Sequence, residues 1–169
     1  MEPWRQLRAQ LSKGARRYPL PMAVEIRPIT GDNFRDVLDL GVSEEQSAWV
    51  APTARYLAVC AYGGDWRPLG IYADGVPVGF AMWARDPTDG SHWIGGFLID
   101  RSHQRRGHGR AGMVAIIDHL RRSEGATTFA LSYRPDNTVA RRLYATIGFV
   151  ETGEHEGDEV VARLSEGPA

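Results

Sequence analysis

The chain of 169 residues holds one cysteine, one lysine and no apolar run near the length of a membrane span. With Cys60 alone, no disulfide forms within the chain, which fits a reducing cytoplasm. Acids and bases nearly balance, at 21 against 20, so nothing in the overall charge points to a nucleic-acid partner. No repeat or low-complexity tract is present. The first residues carry arginines but no continuous apolar stretch, and Pro19 and Pro21 follow, so they do not read as a secretory signal. Lys13 stands alone beside nineteen arginines, which reads as genomic composition rather than function. Cys60 lies in the apolar stretch 56–62 with no histidine near it in sequence, and reads as a core residue.

What is present is unevenly distributed. Residues 1–22 hold Arg5, Arg8, Lys13, Arg16 and Arg17 against Glu2, a balance of +4. The whole chain carries −1, so the remainder carries −5. Residues 1–22 therefore read as a basic extension, 23–165 as one domain and 166–169 as a short tail. An acidic body suits a cationic small-molecule partner.

The apolar pattern orders the domain. Residues 24–29 alternate as a first strand. Thr30, Asp32 and Asn33 offer caps for a helix through Phe34, Val37, Leu38 and Leu40. Ser43 and Gln46 have capping-box spacing. A helix from Pro52 and Thr53 runs to Tyr62. Strands at 68–73 and 76–85 flank Asp74-Gly75, a hairpin signal. A fourth strand spans 92–99, and its Gly95-Gly96 pair predicts a bulge or a close backbone approach. The longest helix covers 107–124, with Met113, Ile116, Ile117 and Leu120 on one face. A strand at 127–133, a helix at 137–147 stopped by Gly148, and a hairpin at 149–152 and 159–164 complete the chain. The fold class is α+β: a central mixed, mostly antiparallel sheet flanked by helices. The crossover helix makes the fourth and fifth strands parallel.

Between the fourth strand and the long helix lies Gln104-Arg105-Arg106-Gly107-His108-Gly109-Arg110. Glycines let the backbone approach a ligand, and a helix start supplies unpaired N–H groups and the positive end of its dipole. Arg105, Arg106 and Arg110 add charge, so the segment suits a pyrophosphate. No Gly-Lys-Ser/Thr follows, so it is not a P-loop, and its context is not that of a dinucleotide fingerprint. Alone it reads equally as an arginine-rich loop.

The segment resembles the Q/R-x-x-G-x-G/A signature of the GNAT superfamily of N-acetyltransferases. Residues 137–149, with Asn137, Ala140, Arg141, Leu143, Tyr144, Gly148 and Phe149, resemble the family's second pattern, N-x-x-A-x-x-x-Y-x-x-x-G-F. Both occur in the family's order, and the resemblance covers about residues 23–164. It implies acetyl-CoA as cosubstrate, cradled at Gln104, Arg105, Arg106, Gly107, His108, Gly109 and Arg110, with His108 exposed. It implies that the fourth strand splays from the fifth at a bulge, so that the backbone of Phe97, Leu98 and Ile99 pairs with the pantetheine arm. Asn137 and Ala140 would border that arm, and Tyr144 would protonate the departing thiolate.

Residues 42–46, 66–72, 79–82 and 97–100 resemble the bacterial diamine/spermidine N-acetyltransferase branch. That implies a primary amine, a polyamine or a similar small amine, attacking directly in a ternary complex. Glu45, Glu44 and Asp100 are the expected base candidates, with Glu44, Glu45, Trp83 and Tyr133 toward the acceptor. Where that branch carries polar residues in the fourth strand, this chain has Gly95-Gly96, which reads as a lost contact or a wider pocket. The other readings are a drug or protein N-terminal acceptor, or a non-catalytic acetyl-CoA-binding module. No metal, nucleic acid or membrane is expected, the location is cytoplasmic, and a homodimer through the terminal strands is the expected assembly.

Overall fold

The computed structural model describes residues 23–165; the basic extension and the short tail read from the sequence lie outside the described residues. The chain runs β1 (Val24–Pro28), α1 (Arg35–Leu38), α2 (Thr53–Tyr62), β2 (Arg67–Ala73), β3 (Val76–Arg85), β4 (His92–Ile99), α3 (His108–Glu124), β5 (Thr128–Tyr133), α4 (Thr138–Ile147), β6 (Val150–Glu156) and β7 (Glu159–Ser165). Single 3-10 turns at Glu44–Gln46 and Arg101–His103 mark the entries to the site.

The seven strands form one sheet in the order β1-β2-β3-β4-β5-β7-β6. All neighbours are antiparallel except β4 and β5, which are parallel because α3 carries the chain across between them. Asp74 and Gly75 both take positive φ, 49° and 78°, the geometry of a tight hairpin turn whose twist matches its strands. The expected helix through 34–40 is only the four residues of α1. Asn33 reaches back to accept the Thr30 N–H at 2.7 Å, so its side chain does not cap the helix that follows, and Phe34 at the N-cap position makes no side-chain cap.

Side chains of adjacent strand residues point to opposite faces, and the sheet carries a core on each. Met113, Ile116, Ile117 and Leu120 of α3 pack with Ala81, Trp83, Phe129 and Leu131 on one side. Burying Ile116 or Leu120 contributes about 2 kcal/mol each. α3 lies close to the sheet at Gly112, where a Cβ would stand 3.1 Å from Ile71 Cδ1. On the other side Phe80, Met82 and Leu98 pack with Val37 of α1 and with Tyr56, Leu57 and Trp66. Cys60 joins this second cluster, its Sγ 3.8 Å from Met82 Sδ.

Candidate active site

The centre of the sheet is split. β4 and β5 pair only at His92–Phe129 and Trp93–Ala130, then diverge. The cause lies in β4. Met82 of β3 faces Gly95 and Phe80 faces Leu98, so Gly96 and Phe97 together stand where one residue would face Ala81. This is a β-bulge, which bends its strand. Gly96 takes φ +59°, and a Cβ there would lie 3.1 Å from the Tyr56 ring. The expected bulge is therefore what opens the sheet. The pocket is not widened by the two glycines. Their side-chain space is filled by Tyr56 and by Trp66, whose ring would be 3.2 Å from a Gly95 Cβ.

Two cavities occupy the split. One, about 410 Å³, runs along the freed side of β4 past Phe97, Leu98, Ile99, Gln104, Arg105 and Gly109 to Leu143. The other, about 280 Å³, is enclosed by Tyr56, Trp66, Met82, Gly95, Gly96, Ser132, Tyr133, Arg134 and Glu159. Trp49, Val50, Phe97, Asn137, Ala140 and Tyr144 line both, so the cavities join there.

α4 places the residues of that junction. Asn137 caps it, its side-chain oxygen accepting the Ala140 N–H at 3.1 Å. Gly148, at φ +113°, ends the helix, and the N–H groups of Gly148 and Phe149 both close on the Tyr144 carbonyl. The Tyr144 ring is wedged among Phe97, Tyr133 and Phe149, at centroid distances of 6.5, 5.5 and 6.0 Å. Its hydroxyl has no hydrogen-bond partner among the described residues. Burial holds this phenol well above its ordinary pKa, and the neighbouring Tyr133 and Glu159 add to the effect. The phenol therefore keeps its proton through the neutral range.

The larger groove ends at the loop before α3. Arg105 and Gly107 both take positive φ, 60° and 85°. Two left-handed residues within three positions turn the backbone sharply, so N–H groups can converge on an anion beside the helix start. Gln104 braces this loop: its amide donates to the Ile99 carbonyl and to the Gln46 side chain, each at 2.9 Å. Gln46 in turn accepts from the Ser43 N–H at 3.4 Å, the expected capping-box contact. A Cβ on Gly109 would meet Leu143 Cδ2 at 3.6 Å and Ile99 Cγ1 at 4.0 Å, so the missing side chain is groove and not a packing requirement. An anion cradle, a bare helix start and an unpaired strand edge in line fit a pyrophosphate followed by an amide-bearing arm.

The expected site residues divide. Phe97, Leu98, Ile99, Gln104, Arg105, Gly109, Asn137, Ala140 and Tyr144 line the larger groove, and Tyr133 lines the smaller cavity. Gly107 shapes the loop, while Arg106 and Arg110 are exposed beside it. His108 is buried, not exposed: its ring packs 6.1 Å from that of His103, and burial, with His103 and Arg106 nearby, lowers its pKa. Glu44 and Glu45 are exposed on the turn whose next residue, Gln46, enters the groove. Asp100 lines neither cavity and is occupied as a clasp. It accepts from the Ser102 hydroxyl and from the N–H groups of Ser102 and Gly41, both at 3.0 Å. Burial pushes its carboxyl upward, but those hydrogen bonds outweigh it and hold the pKa below the ordinary value. Trp83 is core, under the Arg67 guanidinium and against His92; its neighbour Met82 faces the cavity instead. The sequence reading missed Glu159, Ser132, Trp49, Tyr56 and Trp66, residues distant in sequence that only the folded sheet brings together.

Comparison with known proteins agrees with this geometry. The family model described as the acetyltransferase (GNAT) family matches residues 34–149. Two curated relatives are each 32% identical over 150 residues, spanning 84% of this chain and 99% of their own length. They are a probable spermine N(1)-acetyltransferase of Bacillus subtilis subsp. natto (strain BEST195) and the spermine/spermidine N(1)-acetyltransferase of Bacillus subtilis (strain 168). Among solved structures, aminoglycoside acetyltransferase AAC(6')-Ib in complex with coenzyme A superposes with TM-score 0.71 at 18% identity, covering 85% of this chain and 95% of that one. The ribosomal-protein-S18-alanine N-acetyltransferase of Escherichia coli gives 0.64 at 19% identity, covering 87% and 96%. With its split sheet, its anion loop and the buried tyrosine between them, this chain belongs to the acetyltransferase (GNAT) family and is an acetyl-CoA-dependent N-acetyltransferase.

Proposed function

We propose that the protein acetylates a primary amine of a small polyamine-like molecule, with acetyl-CoA and amine bound together and the amine attacking directly. The observation that carries this reading is the junction of the two cavities at Tyr144. The larger groove suits the cosubstrate: the loop at Arg105–Gly107 takes the pyrophosphate, and the freed backbone of Phe97 and Leu98 lies beside the arm. When bound there, acetyl-CoA supplies the activated acetyl group. Asn137 and Ala140 border its inner end, and Tyr144 holds the proton that the departing sulfur requires. The smaller, aromatic-walled cavity takes the amine. Glu44, Glu45 and Asp100 line neither cavity, so none of these three reaches the amine to take its proton. Cys60 takes no part: burial pushes its thiol up to about 11, so it stays protonated and poorly nucleophilic.

Resemblance to the Bacillus enzymes named for spermine and spermidine supports a polyamine acceptor. An amine panel read by free-thiol release tests the reading: spermidine, spermine, an aminoglycoside and an N-terminal peptide, each with acetyl-CoA. Turnover of the polyamines with intersecting initial-rate lines is expected. Turnover of the aminoglycoside or peptide alone, or parallel lines, sinks it.

A further inference from the structure

The acceptor cavity has a single carboxylate in its lining, and it does not come from the strand where an acceptor contact was expected. β4 contributes Gly95 and Gly96, whose side-chain space is held by Trp66 and Tyr56. The charged residues of the lining are Arg134 and Glu159. Arg134 is already engaged, by Asp158 at 3.0 Å and Asp136 at 3.3 Å. Glu159, at the start of β7 across the split, accepts the Ser132 hydroxyl at 2.6 Å through one oxygen. Its other oxygen has no partner among the described residues. The result is a half-buried carboxylate, fixed in direction by a neighbour on β5, unpaired, and facing walls of Trp49, Tyr56, Trp66 and Tyr133. Aromatic faces and one fixed anion are the surroundings an ammonium group favours. Tyr144, at the junction with the larger groove, lines the same cavity from α4, while Glu159 lines it from β7.

We infer that Glu159 recognises a second cationic centre on the acceptor. Held by Ser132, it takes the distal ammonium of a diamine or polyamine while the primary amine to be acetylated lies at Tyr144. The inference rests on the proposed reading of the cavity as the acceptor site. Amines with one charge fill the reacting end but leave Glu159 unpaired. Asp136 and Asp158, exposed beside Arg134, add negative potential near the same cavity.

The test is equilibrium binding by calorimetry to the full chain with coenzyme A present, using butylamine, putrescine and spermidine. The wild type should bind the two polycations about tenfold or more tighter than butylamine. Glu159→Gln should collapse that preference, and Glu159→Asp should restore part of it; thermal melting of each variant reports folding. A wild type that binds butylamine as tightly as putrescine, or that binds no amine, overturns the inference. So does a folded Glu159→Gln protein that keeps the preference. Turnover measured in parallel separates the two claims: charge-selective binding without acetylation sinks the proposed function and leaves Glu159 in its role.

Discussion

Tyr144 shows how little of a side chain's role lies in its own chemistry. A phenol in water is a weak acid that is always protonated at neutral pH. Here its ring is fixed by three aromatic neighbours and its carbonyl by two N–H groups, so the hydroxyl occupies one place between two cavities. Removing only that oxygen keeps the packing and removes the proton. Tyr144→Phe should therefore lower kcat about 100-fold, within the range for general acid–base groups, while acetyl-CoA affinity changes far less. Steady-state rates with direct binding of coenzyme A check it; unchanged turnover removes Tyr144 from the proposed role. Asp100 is the opposite case. Its carboxylate is spent on Ser102 and Gly41, which ties the segment before the Glu44–Gln46 turn to the end of β4. A carboxylate with its lone pairs engaged and its pKa lowered is a poor base but a good tether.

At the scale of elements, the β4 bulge and the start of α3 make the groove between them. The bulge frees one side of β4, and the left-handed loop aims the helix start along the same line. Gly109 sits where these meet. A Cβ finds ordinary contacts there, and leucine is favoured over glycine in a helix by somewhat under ~1 kcal/mol, so the fold tolerates a larger side chain. The groove does not. Gly109→Leu should leave the melting temperature equal or higher and raise KM for acetyl-CoA about tenfold or more, a loss of about 1.4 kcal/mol in binding. A melting curve and a KM titration measure both; an unchanged KM would mean that the cosubstrate lies elsewhere.

For the whole molecule, stability should depend on pH in a definite direction. His92, His108 and His119 have pKa values lowered from 6.5, by burial first in each case. Their contribution is present above the unfolded value and is lost as pH falls through the folded ones. Asp89, Asp100, Glu151 and Glu154 are lowered by their hydrogen-bond partners, so their contribution fails further into acid. Cys60 and Tyr72 are raised, to about 11 and about 12, by burial. Their contribution is present below the unfolded values of 9.0 and 10.0 and is lost as pH rises through the folded ones. Thermal midpoints should form a plateau from about pH 7 to 9 and fall on either side. A midpoint that rises between pH 6 and pH 4 would contradict this balance.

Local order was legible in the sequence because its causes are local. The bounds of β3, β4 and α2 follow from alternation, turn residues and caps within a few positions, and so does the bulge at Gly96. The anion loop and the Asn137–Phe149 segment were legible for the same reason: each is continuous in the chain. Tertiary structure decided the rest. One step of strand parity put Met82 in the cavity and Trp83 in the core. A single 3-10 turn put Gln46 in the groove and left Glu44 and Glu45 in water. The packing of His108 against His103 buried a residue that reads as exposed. The smaller cavity is assembled from α2, β3, β4, β5, α4 and β7, and no periodicity reports that Glu159 will stand across the split from Gly95. Sequence determined the elements and the loop and helix that shape the larger groove, because short-range sterics and hydrogen bonds govern both. The smaller cavity emerged only when a bent strand separated two halves of a sheet and long-range packing filled the gap.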